Sequence, residues 1–89
     1  MATQLSDWRA AIDVLDGQLL TLLNLRAKLA CKLAKVKRET GMEIVDLERE
    51  RQVLARLLHR NQGPLDHAAV ERIFMSIIQE ARRVQTGAE

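Results

Sequence analysis

Between Leu5 and Arg38 the chain reads LSDWRAAIDVLDGQLLTLLNLRAKLACKLAKVKR. Taken in steps of three and four, this stretch passes through Leu5, Trp8, Ile12, Leu15, Leu19, Leu22, Arg26, Leu29, Leu33 and Val36. That spacing predicts one long amphipathic helix, with Gly17 as the only breaker residue inside it. A glycine in a helix interior costs about 1 kcal/mol relative to alanine, too little to split the element. Nine of the ten positions are apolar. The tenth, Arg26, puts a guanidinium into the seam, where it must be paired, reach solvent or meet a ligand. A straight helix of this length spans roughly 50 Å, whereas a compact chain of this size has a radius of gyration of only about 12 Å. The helix therefore overhangs anything its own chain can build. An overhanging apolar stripe calls for a partner, and the commonest partner is a second copy.

The remainder of the chain is read outward from this helix. Its N-terminus is expected near Ser6 or Asp7, with Thr3 as an earlier cap, and its end at Thr40-Gly41. Lys35, Lys37 and Arg38 suit the negative end of the helix dipole. After a short apolar connection, Asp46 is expected to cap a second helix, Leu47 to about Arg60, with Leu47, Val53, Leu54, Leu57 and Leu58 as its apolar positions. Asn61-Gln62-Gly63-Pro64 stops it. Asp66 is expected to cap a third helix reaching about Gln85, with Val70, Ile73, Phe74, Ile77, Ile78, Ala81 and Val84 on one face. Thr86 to Glu89 reads as a frayed tail. The prediction is an all-α chain of three helices, one long and two shorter.

Composition agrees. Eighty-nine residues (1–89) read as a single domain, marginal if monomeric, and aromatic residues make up only 2%. The single Cys31 excludes an intrachain disulfide, reads as a small packing residue and fits a reducing, cytoplasmic compartment. Met1 to Asp7 has neither the basic start nor the apolar core of a signal peptide, and no apolar run approaches a membrane span. The net charge of +2 suits an anionic small molecule. With no basic run longer than Arg82-Arg83 and no aromatic platform, nucleic acid is not an expected partner. His59 and His67 lack ligand-spaced companions, so no metal is expected. No Ser or Cys has a base at plausible spacing, and there is no glycine-rich phosphate loop.

The informative residues are those that break the apolar stripes. Lys37 lies eleven positions after Arg26, about three turns, so the two cations share a face roughly 16 Å apart. Glu50 interrupts the second stripe, and Gln85 extends the third into its last turn. Each has an ordinary structural reading. Arg26 can snorkel to solvent, Lys37 can serve the helix dipole, Glu50 can pair with Arg26 or Arg49, and Gln85 can be surface. Together they also suit a small, doubly anionic, hydroxylated ligand. Arg9 adds a geometric point, because about 42 Å of helix separates it from Lys37. Two such helices paired antiparallel about residue 20 would set Arg9 of one opposite position 31 or 32 of the other, between Arg26 and Lys37. Two equivalent pockets in a twofold homodimer would follow.

These residues bring a family into view. The chain resembles the all-helical chorismate mutases over nearly its full length. Arg9 to Asp16 is similar to their R-x-x-I-D-x-L-D opening, Leu25-Arg26 followed by Ala34-Lys35-Val36-Lys37 to their R…K-x-K segment, and Asp46 to Arg51 to their D-x-x-R-E-x core. Gln85 falls where they carry a late Gln or Glu. The resemblance implies an intertwined homodimer with two active sites and no cofactor. It implies the Claisen rearrangement of chorismate to prephenate, in the shikimate-derived route to phenylalanine and tyrosine. By matched positions it implies that Arg26, and Arg9 in trans, clamp the substrate's carboxylates, while Lys37 and Gln85 donate to its ether oxygen. Glu50 would bind the ring hydroxyl near the Asp46 backbone, Asp46 and Arg49 would complete the polar wall, and Ala30, Leu33, Val53 and Ile78 the apolar one. Two positions depart from the pattern. Ala81 stands where relatives often carry Ser, and Glu43 where many carry Pro.

Two other functions share these features. An isochorismate pyruvate-lyase on the same scaffold would use much the same cationic pocket. A non-catalytic helical dimer regulating a partner enzyme of the pathway would explain the seam, but not why Arg26, Glu50 and Gln85 all break apolar stripes.

Overall fold

The computed structural model describes residues 2–87. They form three helices, α1 (Ala2–Glu39), α2 (Leu47–Arg60) and α3 (His67–Gln85), and no strand. The molecule measures 59 × 25 × 17 Å, with a radius of gyration of 16.6 Å, against about 12 Å for a compact chain of this length. It exposes 7367 Å², about 2,000 Å² more than a compact monomer of its mass. Much of the excess lies on α1, where the nine apolar residues of the stripe are all about half exposed or more.

α1 starts earlier than expected. Thr3, Ser6 and Asp7 all lie inside a helix that already includes Ala2. Ala2, Gln4 and Leu5 are good helix formers with no breaker among them, so winding continues through the positions suited to a cap. The other end closes at Gly41, whose φ is 73°. The Met42 N–H donates to the Lys37 carbonyl at 2.8 Å and the Gly41 N–H to the Arg38 carbonyl at 3.3 Å. That pair of bonds is a Schellman stop, and only glycine enters its left-handed position without penalty.

The two shorter helices are set by their caps. Asp46 accepts from the Arg49 backbone N–H at 3.0 Å to start α2, and Asp66 accepts from the Ala69 N–H at 2.8 Å to start α3. Between them, the Asn61 side chain accepts from the Gly63 N–H at 3.1 Å and donates to the Leu65 carbonyl at 2.8 Å. These bonds turn the chain back on itself. At the end of α3 the Thr86 N–H donates to the Arg82 carbonyl at 2.9 Å, and Gly87 has a φ of 72°. Thr86 and Gly87, expected to fray, thus close the helix; Ala88 and Glu89 lie outside the described residues.

α3 packs against both α1 and α2. The buried apolar residues are Ala30 and Ala34 of α1 and Val70 and Ile78 of α3. Alanines one turn apart let the two backbones approach. α1 and α2 do not pack directly on each other, and a cleft opens between them. Among the described residues no helix is long and apolar enough to cross a membrane.

Candidate active site

The cleft has a volume of about 230 Å³, scaled to a metabolite rather than a polymer. α1 contributes Arg26, Leu29, Ala30, Leu33 and Lys37; the connection contributes Ile44 and Asp46; α2 contributes Arg49, Glu50 and Val53; α3 contributes Ile78, Ala81 and Gln85. Six of the seven polar residues singled out from the sequence therefore share one cavity. The seventh, Arg9, is exposed near the far end of α1, about 25 Å along the helix from Arg26. Among the described residues nothing brings it to the cleft.

Four of the six polar groups are held by an identifiable contact. The Schellman stop sends the chain back past the last turn of α1, so that Lys37 Nζ donates to the Ile44 carbonyl at 3.0 Å. An ammonium has three N–H donors, which leaves two for the cleft. Gln85 Nε2 donates to the Ala30 carbonyl at 3.2 Å, which fixes the amide's orientation and leaves its second N–H free of that bond. Arg38 ties the same place from outside, its Nη1 donating to the Gln85 carbonyl at 2.9 Å. Asp46 is engaged as the α2 cap.

Glu50 pairs neither with Arg26 nor with Arg49, the two partners considered from the sequence. Arg82 of α3 holds it by two hydrogen bonds, Nε to Oε2 at 2.8 Å and Nη2 to Oε1. Arg49 is the immediate neighbour of Glu50 on α2 and so points elsewhere on the helix, while Arg26 stands on the opposite wall. The hydrogen bond to Glu50 raises the Arg82 pKa above its ordinary value; burial opposes this and the Glu50 charge adds to it. Arg82 escaped the sequence reading because it sits beside the apolar stripe rather than in it. The available signal was the hairpin of α2 and α3, which sets the first turn of one against the last turn of the other.

A second hollow, of about 520 Å³, lies along the middle of α1 between Val14, Gly17, Gln18, Thr21 and Leu22. It is larger but shallow and without a charged group. A Cβ placed on Gly17 would meet nothing within 4 Å.

Fold and cleft define a class: an all-helical protein with a charged, metabolite-sized slot where its three helices meet. The family model for chorismate mutase type II matches residues 8–86, and the chain belongs to that family. It is 40% identical over 80 residues to the bifunctional chorismate mutase/prephenate dehydratase of Pseudomonas aeruginosa, covering 84% of this chain and 22% of the relative. It thus spans about a fifth of that relative's length. Among solved structures it is similar to chorismate mutase from Helicobacter pylori in complex with prephenate, with a TM-score of 0.87 and 31% identity, covering 97% of this chain and 93% of that one. A chorismate mutase (Form II) from Thermus thermophilus superposes with a TM-score of 0.91 at 24% identity, covering 93% of this chain and 94% of that one; this is a likeness of fold.

Proposed function

We propose that this chain is a chorismate mutase, catalysing the rearrangement of chorismate to prephenate in a twofold homodimer. The observation that carries the reading is the convergence of Lys37 and Gln85 on one cleft, each steadied by a backbone carbonyl and each retaining an N–H donor. In the rearrangement the ether C–O bond breaks while a C–C bond forms between the enolpyruvyl arm and the ring. Negative charge grows on the ether oxygen. Donors fixed in advance stabilise that charge without reorganising at the moment of reaction, and removing one such donor typically costs about 10²–10³ in rate. The step is unimolecular, so the protein's remaining task is to hold the arm folded over the ring.

In this reading Arg26 clamps one substrate carboxylate and Arg9 of the second copy the other. Glu50 accepts from the ring hydroxyl, and Asp46 and Arg49 complete the polar wall. Ala30, Leu33, Val53 and Ile78 exclude water from the reacting carbons. The exposed stripe on α1 and the surplus surface support the second copy, since a half-covered apolar helix face of this length is unfavourable in water.

The test is loss of chorismate absorbance with the purified chain, with prephenate identified as product, beside Lys37→Ala and with isochorismate as a control substrate. Turnover in the wild type and a fall of about 10²-fold or more in kcat for Lys37→Ala are expected. Pyruvate release from isochorismate without chorismate turnover would refute the proposal in favour of a lyase.

A further inference from the structure

Arg82 does not line the cleft, yet it holds a carboxylate that does. Its fork meets Glu50 side-on, one N–H to each oxygen. A carboxylate offers about four lone-pair sites, so this grip leaves acceptor capacity on both oxygens. The pair is largely withdrawn from water, with the Glu50 side chain 18% exposed and that of Arg82 32% exposed.

The charges around Glu50 make the grip consequential. α1 presents Arg26 and Lys37, the connection presents Asp46, α2 presents Arg49, and α3 presents Arg82 through the ion pair. Asp46 already has a partner in the Arg49 backbone N–H. A free Glu50 carboxylate would oppose any ligand that brings two negative charges into the same small cavity. Paired with Arg82, it presents acceptor atoms with its charge locally cancelled.

We infer that Arg82 is a positioning residue: it aims Glu50 at a hydroxyl donor in the cleft and cancels the charge that would otherwise repel a dianion. This rests on the proposed function, which supplies the dianion and the hydroxyl. The dependence of substrate binding on Arg82 then runs entirely through Glu50. A residue that only braced α2 against α3 through the same pair would lower thermal stability without giving KM a salt dependence.

The experiment measures kcat and KM for chorismate, at low and high salt, in wild type, Arg82→Ala, Arg82→Met, Arg82→Lys, Glu50→Gln and the double variant Arg82→Met with Glu50→Gln. Thermal melts accompany each. Arg82→Met keeps the aliphatic stem, so it decides the matter where Arg82→Ala folds poorly. In Arg82→Met, KM is expected to rise about tenfold at low salt and less at high salt, as an unscreened like charge in a half-open site requires. Arg82→Lys recovers a large part of the loss. The deciding result is the double variant. Glu50→Gln lowers kcat/KM in the wild-type background but leaves it unchanged or improves it in Arg82→Met. Losses that multiply in the double variant, or a wild-type KM in Arg82→Met, overturn the inference while leaving the mutase intact. A folded wild type without chorismate turnover overturns both.

Discussion

Leu19 lies near the centre of α1 and is 56% exposed, so Leu19→Glu is a direct test of the second copy. In the proposed antiparallel pairing about residue 20, position 19 lies close to the twofold axis, within about one turn of its own counterpart. Full burial of a leucine stabilises by about 1.5–3 kcal/mol. Covering the exposed half contributes about 1 kcal/mol per copy on that scale. The introduced carboxylates add several kcal/mol each for desolvation, and they face a like charge across the axis. The dimer is therefore expected to weaken by at least about 5 kcal/mol, a rise in Kd of at least three orders of magnitude. The surplus surface of about 2,000 Å² per chain, counted over two chains, lies in the range of obligate dimers. The wild type should accordingly stay dimeric through a wide dilution series, while the variant becomes monomeric or unfolds. Light scattering and sedimentation read the mass. The single Trp8, on the same stripe and 63% exposed in the isolated chain, reads the environment, with red-shifted emission expected in the variant. Chorismate turnover should disappear with the dimer, because Arg9 cannot reach the cleft of its own chain. A monomeric wild type that turns over chorismate at full rate would refute the argument, as would a Leu19→Glu protein that remains a tight dimer.

Two further outcomes follow from the same geometry. Arg9→Ala and Arg26→Ala chains, each nearly inactive alone, should regain activity when mixed under conditions that exchange subunits, because each heterodimer then holds one intact pocket; well-folded heterodimers without activity would show that Arg9 does not act in trans. Gln85→Glu should be at least about 10²-fold slower than wild type at neutral pH, because an ionised carboxylate donates no hydrogen bond and faces the Ala30 carbonyl. Its rate should rise as pH falls through the carboxyl's pKa, ordinarily about 4.3, whereas the wild-type amide does not titrate; a Gln85→Glu rate independent of pH would remove Gln85 as the donor.

The parts of this molecule that were legible in the sequence are those fixed by local chemistry. Asp46 and Asp66 each accept from the N–H three residues on, and Gly41 takes the left-handed stop, so the ends they govern could be read from neighbours alone. The start of α1 could not be read so. Thr3, Ser6 and Asp7 all qualify as caps, and local preference does not say which, if any, interrupts a helix whose residues on both sides are good formers. Arg26, Glu50 and Gln85 are legible because they violate an apolar period, and Lys37 because it shares a face with Arg26, whereas Asp46 and Arg49 follow as site residues only from the family resemblance. A violation is visible wherever the period is strong.

Arg82 violates nothing. It sits on the flank of the α3 stripe, one position after Ala81, where an arginine is unremarked on any surface helix. Its meaning comes from a contact 32 residues away in the chain, and that contact depends on how α3 is rotated against α2. Periodicity sets the rotation only to within the width of an apolar face. Whether a flanking arginine meets Glu50 or reaches solvent is decided within that width by packing, and here Ile78 of α3 is buried, as are Ala30 and Ala34 of α1. The same rotation brings Gln85, seven residues beyond Ile78 and so on the same face, to the Ala30 carbonyl. The rotation that buries Ile78 thus orients both the proposed ether donor and the cation that holds Glu50. A substitution that rotates α3 should therefore disturb both contacts at once.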